Sequence, residues 1–172
     1  MFYIAHRGLI DGPNEKLENH PDHILYVIED LAYHCEVDVR YIKNQWWLGH
    51  DEPTYKVDES FIGKQGLWLH CKNLDALYRL VNAPFHYEYF WHQEDDFTLT
   101  SSGYIWTYPK KHLTNRSIAV VPETCDNYWN YVKSVNLQGV CTKYVKKFIS
   151  ETSTMHVGST EKLQEGLSLY QE

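Results

Sequence analysis

A series of short strand-like runs, several followed by residues at helical spacing, constrains this chain more than any other feature. The first is "FYIAHRGLI" (2–10). "CEVDVRYI" (35–42) alternates with period two, and "NQWWLGHD" (44–51) reads as the return of a hairpin turning at Lys43 and Asn44. "GLWLHCKN" (66–73), "HYEYFWHQ" (86–93), "GYIWTYP" (103–109), "SIAVV" (117–121) and "QGVCTKYV" (138–145) continue the series. Between them, "NHPDHILYVIEDLAYHC" (19–35) places Ile24, Val27, Ile28, Leu31 and Cys35 at helical spacing behind an Asn19 or His20 cap, with Pro21 in the first turn. Asn73 caps a second helix in which Leu74, Leu77, Tyr78 and Val81 share a face, and "PETCDNYWNYV" (122–132) reads as a third. This order predicts a mostly parallel α/β sheet or barrel rather than a sandwich.

Alternation also decides where polar groups point, because residues i and i+2 of a strand face the same way. Val37 and Val39 therefore share one face while Glu36 and Asp38 share the other. Two adjacent carboxylates repel, and a divalent cation held by oxygen ligands offsets that repulsion; an edge strand with one solvated acidic face has the same pattern. His70 and Lys72 likewise share a face. His6 and Arg7 end the first strand before Gly8, and His50 and Asp51 follow Gly49. Reactive side chains thus gather at the C-terminal ends of strands, where active sites of parallel α/β sheets lie. A metal, two histidines for proton transfer and cations for an oxyanion together suit phosphodiester cleavage.

The opening "AHRG", the "EN" of Glu18 and Asn19, "EVDV" and "GHDE" resemble, in order and spacing, the glycerophosphodiester phosphodiesterases. The resemblance covers residues 2 to 53 and is faint from there to Val145. It implies a TIM-type (β/α)₈ barrel, a small phosphodiester substrate, and His6 and His50 as the general acid/base pair. Arg7 would contact the phosphate and Glu36 and Asp38 would hold a metal. Lys72 matches the family's lysine in its Glu-x-Lys, as a cation for the phosphate or metal site. His70 stands where a third acidic ligand is usual; as a ligand it shifts the expected Mg²⁺, Mn²⁺ or Ca²⁺ toward Mn²⁺ or Zn²⁺. Lys143 stands where an aspartate is commoner. The reading leaves two alternatives: a lyase that releases a cyclic phosphate, and an inactive binding protein on the same scaffold.

Size limits that picture. A (β/α)₈ barrel takes about 250 residues, and this chain has 172. The expectation is a shortened or incomplete barrel over residues 1–150 with several outer helices reduced, and a C-terminal tail or helix over 151–172. A barrel closed by a neighbouring subunit leaves a homo-oligomer open. Trp106 is expected at the substrate, although such aromatic residues, with Tyr89, Trp91 and Tyr108, more often fill a core. His92 with Glu94, Asp95 and Asp96 reads as a solvated acidic loop rather than further ligands.

The formal charge of −7, with scattered Lys and Arg, argues against nucleic acid as a partner. No apolar run reaches the roughly 18 residues of a membrane span and no leader pattern opens the chain, so a cytoplasmic protein is expected. Cys35, Cys71, Cys125 and Cys141, with no C-x-x-C pair, fit buried thiols in a reducing compartment.

Overall fold

The structure is a computed structural model that describes residues 1–155. Ten strands form one curled mixed sheet. In chain order the elements are β1 (Phe2–His6), α1 (Pro21–Leu25, continued by a π-type turn at Tyr26–Asp30), β2 (His34–Ile42), β3 (Gln45–Leu48), β4 (Tyr55–Val57) and α2 (Glu59–Ile62). Then come β5 (Leu67–Cys71), α3 (Leu74–Val81), β6 (Tyr89–Trp91), β7 (Phe97–Leu99), β8 (Ile105–Thr107) and β9 (Ser117–Val120). A 3₁₀ turn (Pro122–Thr124), α4 (Asp126–Ser134), β10 (Gly139–Thr142) and α5 (Val145–Met155) complete the described residues. No helix among them is long and apolar enough to cross a membrane.

Around the curl the order is β6-β5-β2-β1-β10-β9-β8-β7. From β6 to β8 every pair is parallel; β7 returns antiparallel to β8, and β3 and β4 add an antiparallel arm to β2. Register brings the site strands level: His6 pairs with Glu36, and Asp38 with His70. The curl brings the free edges together, with Ser101 N donating to Tyr89 O at 2.8 Å and the Thr98 hydroxyl to Trp91 O at 2.8 Å.

This corrects the expected TIM-type (β/α)₈ barrel: the sheet is a half-barrel with few helices between its strands. A parallel crossover takes a dozen or more residues. Residues 92–96 between β6 and β7 are too few for one, so the chain reverses there, and residues 108–116 make a shorter than usual parallel crossover from β8 to β9, with no helix. The first helix is also shorter than its apolar spacing predicts. It stops before Leu31, and Cys35 belongs to β2, because the chain must turn back in time to pair with β1. On α3, capped as expected by Asn73 accepting from Ala76 N at 3.1 Å, the buried face is Ala76 and Leu80. Leu74, Tyr78 and Val81 point to solvent instead. The boundary expected at residue 150 falls within α5, and residues 156–172 lie outside the described residues.

Two packed layers follow from the alternation. Outward residues Ala5, Cys35, Val37, Val39, Leu69 and Cys71 pack against Ile24, Val27, Ala76 and Leu80 of the helices. Inward residues Ile4, Trp68, Phe90, Trp106, Ile118 and Cys141 meet across the curl and fill its floor. Burying each of the Val, Leu, Ile and Phe side chains among them contributes about 1.5–3 kcal/mol. The four cysteines are free thiols, three of them buried.

Candidate functional site

The floor residues and the site residues are neighbours by period two. His6 follows Ile4, His70 follows Trp68, His92 follows Phe90, Tyr108 follows Trp106, and Lys143 follows Cys141, each at i+2 on the same face. An apolar floor thus carries a polar rim at the C-terminal ends of the strands. The cavity above it measures about 660 Å³, and His6, Arg7, Glu36, Asp38, His50, His70, Lys72 and Trp106 all line it. The structure therefore brings every sequence-predicted site residue to one cavity.

Glu36 and Asp38 are fully buried, which two like charges tolerate only with partners. Asp38 is the hub. Its Oδ2 accepts from Asn19 Nδ2 at 2.9 Å, and its own N–H donates to Asn19 Oδ1 at 2.9 Å. Arg7 Nε lies 3.4 Å from Oδ2, and Lys72 Nζ lies 3.7 Å from Oδ1. Glu36 Oε2 accepts from Arg7 N at 3.0 Å. His70 Nδ1 sits 3.5 Å from Glu36 Oε1 and 3.2 Å from Asp38 Oδ1.

Those separations provide a test of metal fit. Two donors about 2.1 Å from one ion stand roughly 3.0–3.4 Å apart at ordinary coordination angles. One donor atom each from Glu36, Asp38 and His70 lie within 4.8 Å of one another. Asp38 Oδ1 is buried without a hydrogen-bond partner, and His70 Nε2 contacts His92 O at 3.1 Å. A carbonyl only accepts, so the proton sits on Nε2 in the neutral ring and the Nδ1 lone pair faces the carboxylates. His70 Nδ1 meets that span from Asp38 Oδ1 and comes near it from Glu36 Oε1, so these three residues could hold a divalent ion, and one imidazole with two carboxylates suits Mn²⁺ or Zn²⁺ as well as Mg²⁺. Without an ion, a proton serves the same place. Burial disfavours the charged form of His70, but Asp38 and Glu36 outweigh it and raise its pKa to about 9. Burial would raise Asp38; His70, Arg7 and Asn19 outweigh that and hold it below the ordinary aspartate value.

The two expected proton-transfer residues differ. His6 is half-buried on β1, with Nε2 3.9 Å from Glu36 Oε2 and Nδ1 unpartnered. Burial pushes its pKa below the ordinary histidine value, against the opposing field of Glu36. His50 stands at the rim, its side chain 37% exposed and Nδ1 2.7 Å from Asp51 Oδ1. Its loop is fixed from beneath: Arg40 donates to the carbonyls of Gly49, His50 and Asp51. Gly49 has φ +141°, and a Cβ there would lie 2.1 Å from Glu52 O, so only glycine fits.

Sequence reasoning missed how the rim is tied together. Glu18 accepts from Arg7 at 3.0 Å and from Lys143 Nζ at 2.8 Å, joining the ends of β1 and β10. Glu123 accepts from the Thr142 hydroxyl at 2.8 Å and from Lys143 N at 2.9 Å. Lys143 is thus a paired rim cation, neither bare nor merely solvated. His92 lines the cavity with Nδ1 4.0 Å from Oδ2 of the exposed Asp95, and Asp96 pairs with Lys111 at 2.9 Å. Trp106 is part of the floor, stacked on Phe90 at 4.4 Å. The "EN" pair was the available signal for Glu18 and Asn19; nothing local marks Glu123.

No family model, curated protein or solved structure matches the chain.

Proposed function

We propose that this protein is a metal-dependent phosphodiesterase, a divergent relative of the glycerophosphodiester phosphodiesterases. The observation that carries the reading is the convergence of Glu36, Asp38 and His70 with His6, Arg7 and Lys72 around one cavity. Charge supports a cation there. Arg7, Lys72, Lys143 and a protonated His70 balance the carboxylates of Glu18, Glu36, Asp38 and Glu123, so the ion-free site carries no positive charge for a phosphate. A divalent ion in place of the His70 proton adds one net positive charge, enough to neutralise the single charge of a phosphodiester.

The ion, held by Glu36, Asp38 and His70, would supply Lewis-acid polarisation of a phosphoryl oxygen. Arg7, fixed by Glu18 and Asp38, and Lys72 meet the remaining phosphoryl charge. His6, kept neutral by burial, takes a proton from the attacking water as its oxygen bonds to phosphorus. The bond from phosphorus to the alcohol breaks, and His50 returns a proton to the departing oxygen, giving a phosphomonoester and a free alcohol. The position of His50 at the open rim suits exchange of that proton with solvent.

The test is hydrolysis of a phosphodiester panel by chelator-treated protein with Mg²⁺, Mn²⁺, Ca²⁺ or Zn²⁺ added. Turnover restored by at least one ion, giving monoester and alcohol, is the expected result. A cyclic phosphate as sole product would make the protein a lyase, and no turnover with any ion would leave it a binding protein.

A further inference from the structure

The carbonyls of Gly49, His50 and Asp51, consecutive along the chain after β3, converge on one cation: the guanidinium of Arg40 donates to all three. Arg40 stands two residues after Asp38 on β2, paired across the ladder with Trp47, and it is not among the residues that line the cavity. We propose that Arg40 is a positioning residue for proton transfer, holding His50 where the departing alcohol oxygen needs its proton and acting on the reaction through His50 alone. The inference rests on the phosphodiesterase reading, with His50 as the acid.

The other restraints on His50 are weaker or lie to either side of it. Its side-chain partner Asp51, at 2.7 Å, is 89% exposed, and an ion pair in water holds two side chains loosely. The antiparallel arm fixes the ends of the turn: Gly49 N donates to Asp38 O at 3.1 Å and Thr54 N to Leu48 O at 2.8 Å. Within the turn, the Thr54 hydroxyl donates to Glu52 O at 3.1 Å. The carbonyl of His50 itself is held by Arg40, at 2.7 Å.

A guanidinium suits three convergent carbonyls. It is planar, always charged and offers five donors in a fixed fork, and hydrogen bonds from a charged donor are roughly twice as strong as neutral ones. The carboxylates of the candidate metal site do not depend on it: Asp38 is held by Asn19, Arg7 and Lys72, and Glu36 by Arg7 N. Removing the guanidinium therefore loosens the acid and leaves those carboxylates with their partners. A reacting group misplaced by about 1 Å costs on the order of 10²-fold in rate.

The experiment compares two methyl diesters: methyl glyceryl phosphate, whose alkoxides need a proton to leave, and methyl 4-nitrophenyl phosphate, whose phenolate leaves without one. With the ion that supports turnover, Arg40→Ala should lower kcat on the glyceryl ester by about tenfold to 10²-fold with KM little changed, and on the nitrophenyl ester by no more than about threefold. In a His50→Ala background the same substitution should cost nothing further, because the two residues act as one. Calorimetric affinity for the ion should be kept. Arg40→Lys retains the charge on the arm without the fork, and it should show the same selective loss if Arg40→Ala fails to fold. Equal losses on the two esters, a further loss in the double variant, lost ion binding, or full activity in both Arg40 variants overturns the role. So does a wild type that hydrolyses the nitrophenyl ester alone, since no proton then reaches an alkoxide. No turnover of either ester with any ion overturns the phosphodiesterase reading itself, and the role with it.

Discussion

Strands β1, β2 and β5 span five, nine and five residues, whereas β6, β7 and β8 span three each. The first group has ladders on both sides and helices behind it. In the second only β8 is paired on both sides; β6 and β7 are paired on one, linked to each other by side-chain and backbone hydrogen bonds, and β7 has no covering helix, which leaves Phe97 and Leu99 47% and 67% exposed. The metal-site candidates Glu36, Asp38 and His70, with His6, stand on the long, doubly paired strands, and His50 on a loop that Arg40 of β2 fixes. The short strands shape space. Positioning demands rigid neighbours on every side, and shape tolerates fewer.

The sharpest way to break this division is through the histidines of the charged half. His6→Ala and His50→Ala should each lower phosphodiester turnover by about 10² to 10⁴, with little change in unfolding midpoint. Near-full activity on a substrate with a poor leaving group would remove that histidine from the chemistry. Within the ring half, packing and exposure should separate cleanly. Phe90→Ala, at a fully buried floor position, should cost about 3–5 kcal/mol in denaturant unfolding. Leu99→Ser on the uncovered face of β7 should change stability by no more than about 0.5 kcal/mol. A large loss for Leu99→Ser would mean that this face is covered in solution.

The charged half was readable in the sequence because period two is a local rule. "EVDV" alone puts Glu36 and Asp38 on one face, and "HCK" does the same for His70 and Lys72. The ring half was not, since strands as short as β7 carry too few alternations to stand out, and its reversal after β6 follows from loop length and pairing. Helical spacing likewise did not fix which face of α3 is buried: Leu74, Tyr78 and Val81 share a face, yet the sheet takes Ala76 and Leu80. The Glu18 and Glu123 ties join residues far apart in the chain, which no local pattern encodes.

A modest, pH-dependent effect concerns the tie between β1 and β10. Burial would raise the Glu18 pKa, but the hydrogen bonds from Lys143 and Arg7 hold it below its ordinary value of 4.5. A depressed carboxyl stabilises the fold above its unfolded value and loses that contribution as pH falls through its folded one. Glu18→Gln should therefore cost up to about 1 kcal/mol at neutral pH, since the group is partly solvated. The gap from wild type should shrink as acid unfolding studies move below pH 4.5. A gap that stays constant into acid would show that shape, not charge, ties the rim.

The central claim is that Glu36, Asp38 and His70 hold one divalent ion, and calorimetric titration of chelator-treated protein with Mn²⁺ and Zn²⁺ tests it most directly. The account predicts one site per chain, weakened at least about tenfold in His70→Ala by loss of a ligand and abolished in Asp38→Asn. It also predicts that His70→Glu shifts preference toward Mg²⁺ or Ca²⁺. Binding that is absent in the wild type, or present and unchanged in both Asp38→Asn and His70→Ala, would contradict it.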